Sequence, residues 1–380
     1  MDRVYLDYAA TTPVDHQVVL SMIPYFENNY GNPSSIHYLG QSAEQALSLA
    51  RQRILLLSGA ANAELIFTSG GTESDNLAIR GIVESKNENK HKILLSPVEH
   101  PAVSNTCERF KDRFIVNKLR VDKYGLLDIE YLKKSIDYDT LLVSVIWGNN
   151  EIGTINDIKQ IGKICREKNV IFHTDAVQAA AHLDINFGES NIDMLSFGAH
   201  KFYGPKGVGG LIKLKGLKLS SQITGGSQEN NTRAGTSNVP LIKGMEKAYE
   251  LLHEEFDKND NHKKHLRDIL IEGVLKNITG SYLTGHPEKR LPNHASFVIE
   301  GVRGQDLVIG MDMAGFSISS GSACKVGNPS PSQVLLAMGI PEDLAIGAIR
   351  VTVGKNTTET EVNSFLTELS KLVKTLRKSM

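Results

Sequence analysis

Short apolar runs rich in β-branched residues alternate with helical patterns through the first two thirds of the chain. The runs that predict buried strands are residues 64–68, 92–96, 141–146 and 170–174. Between the last two, residues 155–168 place Ile158, Ile161 and Cys165 at helical spacing. A further helix is expected to begin at Thr72. This alternation predicts an α/β fold with a mostly parallel, doubly wound sheet.

The last third of the chain has a different pattern. It is almost continuously helical from residue 239 to about residue 278, with a polar break expected at residues 257–262. Strand patterns follow at residues 295–299, 316–319 and 349–353, and an amphipathic helix is expected at about residues 359–376. These elements predict a smaller α+β domain behind a helical connection.

Length, composition and net charge limit the classes of protein to which the chain can belong. The chain has 380 residues, too many for one ordinary core, so two domains are expected. Hydrophobic residues make up 41% and charged residues 22%, which is typical of soluble globular proteins. The formal net charge is −1 and there is no long basic block, so direct nucleic-acid binding is not expected.

The cysteines and the apolar stretches indicate a cytoplasmic protein. Residues 1–7 carry acids where a secretory signal peptide carries a basic region, and no apolar stretch approaches the about 20 residues that cross a bilayer. The three cysteines, Cys107, Cys165 and Cys324, are widely spaced, which excludes a disulfide framework and a four-cysteine zinc site. Neither a membrane nor a metal is expected.

Polar residues follow the predicted strands, at the edge where open parallel sheets bind ligands. After the first strand, Gly70 and Gly71 allow close approach of the backbone to an anion, and Thr72 with Asp75 resembles a capping box. The start of such a helix can bind a phosphate. Taken alone, however, this segment is explained more simply as an ordinary capped helix.

The ends of the other strands carry Glu99-His100, Asn149-Asn150-Glu151, residues 175–178 and residues 198–201. These residue types fit pyridoxal phosphate (PLP). A buried carboxylate can keep a pyridine nitrogen protonated, an imidazole can stack on the ring, and a lysine amine can form a Schiff base. On position alone, a PLP site and a set of unrelated polar residues both remain open.

Cys324 lies in residues 319–332, a run of small residues with glycine and proline that cannot form a regular helix. A thiol in an exposed loop beside Lys325 would have its thiolate favoured. Cys107 and Cys165 lie in helical patterns and are expected to be buried and inert.

Together, these segments resemble the NifS/IscS cysteine desulfurases of the class V aminotransferase family. The matching motifs are residues 5–13, 31–35, 68–77, 149–153, 173–178, 199–207, 233–236 and 319–324, so the resemblance covers essentially the whole chain. It implies a PLP-dependent transferase of fold type I, like aspartate aminotransferase. Residues 14–256 would form the large domain, and residues 1–13 with 257–380 the small one.

The resemblance also implies a role for each matching residue. Lys201 would bind the cofactor as a Schiff base and then move the Cα proton, His100 would stack on the ring, and Cys324 would accept the sulfur. The implied cofactor-binding residues are Gly71, Thr72, His100, Asn150, Asp175, Gln178, His200, Lys201 and the partner subunit's Thr236. Arg350, Asn150 and Asn32 would bind the substrate, with Arg350 clamping its carboxylate.

The implied reaction converts L-cysteine to L-alanine and leaves a persulfide on Cys324. A loop of this length would pass the sulfur to acceptor proteins for iron–sulfur cluster assembly or tRNA thiolation, and the sequence does not say which. The implied assembly is a homodimer. A selenocysteine lyase, or another class V enzyme, is the alternative within the family, although such enzymes need no thiol at Cys324. An inactive scaffold is a second alternative, against which the complete set of site residues argues.

Three positions depart from the family pattern. Gly198 replaces a serine that often contacts the phosphate, so this part of the phosphate site would rely on backbone N–H groups. Lys325 follows the cysteine in place of a threonine or serine, and Lys355 stands where arginine is common. None of the three removes a catalytic group.

Overall fold

The structure is a computed structural model that describes residues 3–85, 90–321 and 331–378. The strands are β1 (Val4–Tyr5), β2 (Ala63–Thr68), β3 (Lys92–Leu95), β4 (Ile115–Lys118), β5 (Thr140–Ser144), β6 (Ile171–Asp175), β7 (Met194–Gly198), β8 (Gly209–Leu214), β9 (Ser281–Leu283), β10 (His294–Ile299), β11 (Phe316–Ser317), β12 (Ser319–Ser320) and β13 (Ala348–Thr352).

The helices are α1 (His16–Glu27), α2 (Tyr38–Leu57), α3 (Gly71–Val83), α4 (Pro101–Glu108), α5 (Ile129–Ser135), α6 (Ile158–Glu167), α7 (Ala179–His182), α8 (Gln228–Asn231), α9 (Val239–Glu254), α10 (Phe256–Asn277), α11 (Gly304–Met313), α12 (Gln333–Ala337), α13 (Glu342–Ala345) and α14 (Glu359–Lys378). A 3₁₀ turn, Ala199–Lys201, follows β7.

A large sheet lies at the centre of the fold. Within the described residues it has seven strands in the order β2-β8-β7-β6-β5-β3-β4. Only β8 runs antiparallel to its two neighbours there, and the other pairs are parallel. The predicted α/β class and mostly parallel sheet are therefore confirmed.

Both faces of the inner strands of the large sheet are covered by helices, whereas the edge strand β4 is largely exposed. Alternate residues of each strand point to opposite faces. Leu94 packs in a core with helices α2, α6 and α9, whereas its neighbours Ile93 and Leu95 pack in a second core with α3 and α4. This two-sided burial explains why inner strands such as β3 and β5 appear in the sequence as nearly continuous apolar runs.

A second unit follows α9. Strands β12, β13, β10 and β9 form an antiparallel sheet in that order, and α10, α11 and α14 pack on a core that includes Phe297 and Phe365. Strand β1 pairs with β11, so the N-terminal segment joins this unit. The division into residues 14–256 and residues 1–13 with 257–380 stays a prediction, and the pairing of β1 with β11 favours it.

Two local predictions are wrong. The break in the long helical region falls at Glu255, between α9 and α10, and residues 257–262 are helical. Leu266, Leu270 and Val274 are buried further along α10 and stabilise that helix despite its polar start. The predicted capping box also fails, because Gly70 is the N-cap of α3 and Thr72 lies inside the helix. Glu73 instead accepts a hydrogen bond from the Ser69 N–H at 2.8 Å.

Within the described part of the chain, no helix combines the length and the apolar character needed to cross a bilayer. Cys107 and Cys165 are buried in α4 and α6, as predicted, and burial raises the pKa of each thiol to about 12.

Candidate active site

A cavity of about 260 Å³ opens where the carboxyl ends of several strands meet the start of α3. Its lining residues are Gly71, Thr72, Asp75, His100, Ile146, Asn150, Asp175, Val177, Gln178, His200 and Lys201. The structure thus brings together eight of the residues singled out from the sequence. They come from distant parts of the chain and meet because parallel strands end at one edge of the sheet.

The start of α3 forms one end of this cavity. Gly71 is required there for packing, since a Cβ at this position would lie 2.5 Å from a methyl carbon of Val177. The first turn of a helix has backbone N–H groups without helical partners, and these favour an anion. Thr72 adds a hydroxyl to the same lining. This end of the cavity is suited to a phosphate.

Lys201 lies in the 3₁₀ turn that follows β7. Its Nζ donates hydrogen bonds to the carbonyl oxygens of Ala9 and Ala10, both at 2.7 Å. Burial and the nearby Arg350 lower the pKa of Lys201 to about 8. A lysine with this pKa has a substantial neutral fraction near neutral pH, which a nucleophilic amine requires.

Asp175 and His100 face the same cavity from the ends of β6 and the β3–α4 connection. Asp175 accepts a hydrogen bond from the Val177 N–H at 2.9 Å, and burial raises its pKa. His100 caps α4 by accepting the Ala102 N–H on Nδ1 at 3.1 Å, which fixes the imidazole. Burial lowers the His100 pKa, so the ring is neutral at neutral pH.

Two further acids were missed as site residues: Asp75, which lines the cavity, and Glu99, which accepts a hydrogen bond from the N–H of the lining residue Ile146. Both are buried, and burial raises the pKa of each well above its ordinary value. Asp75, His100 and Asp175 each place one donor atom within 4.8 Å of the others. The sequence prediction that no metal binds here stays a prediction. The sequence offered no signal for the role of Asp75, because its spacing from Thr72 indicated only a capping box, which the structure does not form.

Gln178 and His200 are held by the N-terminal segment. The Gln178 side chain donates to the Ala9 carbonyl at 2.8 Å, and its Oε1 has no hydrogen-bond partner among the described residues. His200 Nδ1 lies 3.1 Å from the Thr11 hydroxyl. Burial, followed by the charge of Lys201, lowers the His200 pKa to about 4, so this imidazole is also neutral.

Arg350, in β13, lies beside the cavity lining. Its Nη2 donates to Asp7 Oδ1 at 2.8 Å and its Nη1 to the Asn150 carbonyl at 3.0 Å. Its Nε has no partner in the described part of the chain. The Nε of the guanidinium is therefore a buried donor without a partner among the described residues, and Asp7 is a neighbour that the sequence did not predict.

The other predicted site residues lie elsewhere. Thr236 and Asn32 line a separate depression of about 360 Å³, together with Tyr25 and Tyr30. Their assigned roles, in cofactor and substrate binding, stay predictions. Cys324 and Lys325 fall outside the described residues.

The cavity fits PLP on its own chemistry. It offers an amine of lowered pKa, a carboxylate opposite a neutral imidazole, and a helix start for the phosphate. Two buried oxygens of lining residues, Gln178 Oε1 and Asp75 Oδ1, have no hydrogen-bond partner among the described residues. Buried polar atoms of this kind usually find a partner, and a polar ligand would supply one.

Comparisons with known proteins agree with this geometry. The aminotransferase class-V family profile matches residues 4–365. The cysteine desulfurase IscS of Dictyoglomus turgidum is 45% identical over 376 residues, covering 99% of this chain and 95% of that protein. A solved NifS-like protein superposes with a TM-score of 0.92 at 35% identity, covering 98% of this chain and all of the other. The solved complex of SspA with cysteine gives a TM-score of 0.82 at 33% identity, covering 93% of this chain and 100% of that one.

Proposed function

The chain belongs to the class-V aminotransferase family and is a cysteine desulfurase, and we propose that L-cysteine reacts in the cavity between Lys201 and Arg350, with Cys324 accepting the sulfur. The observation that carries the assignment is the Lys201 amine, whose pKa burial lowers to about 8, among Asp175, His100 and the start of α3. The family is PLP-dependent, and the cavity residues fit that cofactor.

Each of the predicted cofactor-binding residues would have a defined task in holding PLP. Lys201 would hold its aldehyde carbon, Asp175 would face the ring nitrogen, and His100 would lie against the ring. Gly71, Thr72 and His200 would bind the phosphate, with the partner subunit's Thr236. Gln178 and Asn150 would contact the phenolic oxygen. When bound, PLP supplies an electron sink that stabilises negative charge on the substrate carbon next to the amino group.

The chain positions the substrate through its carboxylate. Arg350 would bind that carboxylate, since a planar guanidinium can form two parallel hydrogen bonds to it and the Arg350 Nε has no partner among the described residues. Asn32 and Asn150 are the proposed neighbours of the substrate. The Lys201 Nζ then removes the Cα proton, a task for which an amine with a pKa near neutral pH is well suited.

The sulfur step balances without a further reagent. The Cys324 thiolate forms an S–S bond with the substrate sulfur while the carbon–sulfur bond breaks. The electron pair of that bond stays with the carbon fragment, which takes up protons and leaves as L-alanine. The two sulfur atoms together lose two electrons in forming the persulfide, and the carbon gains those two electrons.

The proposal also covers the oligomeric state and the cellular location of the protein. We infer a cytoplasmic homodimer that passes persulfide sulfur to acceptor proteins, for iron–sulfur cluster assembly or tRNA thiolation. The location of Thr236 outside its own chain's Lys201 cavity supports the dimer, because the residue would then be free to serve a partner.

The proposed function is tested by the visible absorbance spectrum of the protein and by mapping the lysine to which PLP is attached. Purified protein should show a visible PLP absorbance band that shifts when L-cysteine is added, and L-alanine should form. Borohydride reduction followed by peptide mapping should place a pyridoxyl group on Lys201, while the exposed Lys206 serves as an internal control. Protein that stays colourless with added PLP, or a pyridoxyl group on Lys206 instead, would overturn the assignment.

A further inference from the structure

The loop of residues 149–153, which carries Asn150 to the cavity lining, is held by the short segment of residues 290–294. Three backbone carbonyls of the loop accept hydrogen bonds from that segment: Asn150 from His294 Nε2 at 3.1 Å, Ile152 from Arg290 Nη1 at 2.9 Å, and Gly153 from the Leu291 N–H at 2.8 Å. The segment leads into β10 of the second unit. These bonds therefore join that unit to a loop of the cavity.

The Asn150 carbonyl also accepts a second hydrogen bond, from Arg350 Nη1 at 3.0 Å. Its two donors come from neighbouring strands, because β10 pairs with β13 and places Ser296 opposite Arg350. One backbone oxygen is therefore shared between His294 and the arginine assigned to the substrate carboxylate.

The His294 ring has a defined protonation state. Its side chain is fully buried, and burial, followed by the charges of Arg290 and Arg350, lowers the pKa of His294 well below its ordinary value. A carbonyl oxygen can only accept, so the single proton of the neutral ring lies on Nε2. Gly153 packs on the other edge of the ring, where a Cβ would lie 2.8 Å from Nδ1. The bond to Asn150 thus fixes the tautomer and the orientation of the imidazole.

We propose that His294 is a positioning residue that holds Arg350, through the Asn150 carbonyl that they share, in the orientation that binds the substrate carboxylate. The inference rests on the proposed function, in which Arg350 binds that carboxylate. His294 lies outside the sequence motifs of the family resemblance and is not among the lining residues of the cavity.

The physical basis is preorganisation of one guanidinium. His294 fixes the Asn150 carbonyl, which holds Arg350 Nη1, while Asp7 holds Nη2 at 2.8 Å. Arg350 is buried, so water does not readily replace a lost partner. A guanidinium that is already oriented loses less freedom when a carboxylate binds. Without the imidazole donor, the carbonyl and the guanidinium could shift together, and carboxylate binding would weaken.

His294→Leu tests the proposal by removing the ring donor. The dissociation constant of the holoenzyme for L-alanine, measured from the change in visible PLP absorbance, should rise about threefold to tenfold, the effect of one lost hydrogen bond. The KM for L-cysteine should rise by a similar factor with kcat within about twofold, because the carboxylate is bound before and during the reaction. A merely structural residue would instead lower PLP content or the melting temperature and leave the affinity of the holoenzyme unchanged.

His294→Gln is the rescue variant. The glutamine amide nitrogen can take the place of Nε2, so this variant should bind L-alanine within about twofold of wild type. The asparagine of His294→Asn is shorter and places its amide nearer the position of Nδ1, so this variant should lose affinity. Should His294→Leu fail to fold, the comparison of these two variants still decides the question, and equal affinities would contradict the proposal.

A double variant tests whether His294 acts through Arg350. Arg350→Lys keeps the charge but removes the planar guanidinium, so it should itself weaken L-alanine binding. In that background, His294→Leu should change the dissociation constant by less than about twofold, because the group that it positions is gone. Effects of the two substitutions that multiply in full would contradict the proposal.

His262→Leu is the matched control. His262 Nε2 also donates to a backbone carbonyl, that of Thr357 at 2.8 Å, but neither residue lines the cavity. This variant should bind L-alanine as wild type does, and an equal loss of affinity in His262→Leu and His294→Leu would overturn the specific role of His294.

The outcomes separate this inference from the proposed function. If wild-type holoenzyme neither binds L-alanine nor releases it from L-cysteine, the proposed function fails. If wild type does both and His294→Leu binds L-alanine equally well, only the role of His294 is wrong.

Discussion

The Nζ of Lys201 lies 2.7 Å from the carbonyl oxygen of Ala9, although the two residues are 192 positions apart in the chain. The same carbonyl accepts a hydrogen bond from the Gln178 side chain. The N-terminal segment therefore holds the reactive amine and one wall of the cofactor cavity at once. This relationship makes the first residues of the chain part of the active site.

The lowered pKa of Lys201 predicts a pH dependence for cofactor uptake. Only the neutral amine attacks an aldehyde, so the rate at which apoenzyme takes up PLP should rise with pH and level off above about 8. The reaction of PLP with free Nα-acetyl-lysine is the control and should continue to rise toward pH about 10, near the ordinary lysine pKa. Stopped-flow absorbance measures both. An enzyme rate that keeps rising in parallel with the control would contradict the pKa assigned to Lys201.

Replacing Gly198 by serine should increase the affinity of the protein for PLP. A Cβ there would lie 3.3 Å from the Gly71 nitrogen, so a serine would place its hydroxyl at the start of α3. We expect Gly198→Ser to lower the dissociation constant for PLP about threefold to tenfold, measured by equilibrium dialysis, because one hydrogen bond is added.

Gly198→Ala is the matched control for that prediction. It adds the same Cβ, with the same tight approach to Gly71, but no hydroxyl. It should bind PLP no more tightly than wild type. Equal affinities of the serine and alanine variants would show that the hydroxyl does not reach the phosphate.

The position of Thr236 predicts that active sites form between subunits. A Lys201→Ala chain and a Thr236→Ala chain should each be impaired, and their mixture should regain about a quarter of wild-type activity. Half of the randomly mixed dimers are heterodimers, and each of these has one intact site. Steady-state assays after subunit exchange measure this. A mixture no more active than its components, or a fully active dilute monomer, would contradict the shared site.

The parts of the site that have a local sequence signature were predictable. Asp175, His100 and Lys201 follow buried strands, and parallel strands bring such residues to one edge of the sheet. Their convergence was therefore predictable. Arg350 has no such signature, because a single arginine in a buried strand looks like any other, and only the family resemblance identified it.

The remaining contacts could not be predicted, for physical reasons. Ala9 and Ala10 act through backbone carbonyls, which every residue has, so their side chains gave no signal. Asp7 and Ser319 meet 312 positions apart through tertiary packing alone. The prediction of a capping box was wrong because residue spacing does not determine which residue is the N-cap. In the structure the N-cap of α3 is Gly70.

The most direct test of the account is Cys324→Ala, assayed with L-cysteine for cofactor absorbance and L-alanine release in the same sample. We expect that L-cysteine still shifts the absorbance, because Lys201 and Arg350 are intact. L-alanine release should fall to near background for lack of a thiolate to accept the sulfur. L-selenocysteine is a useful control, since its weaker carbon–selenium bond should allow slow turnover without the thiol. L-alanine release from L-cysteine at the wild-type rate would place the nucleophile elsewhere and contradict the mechanism.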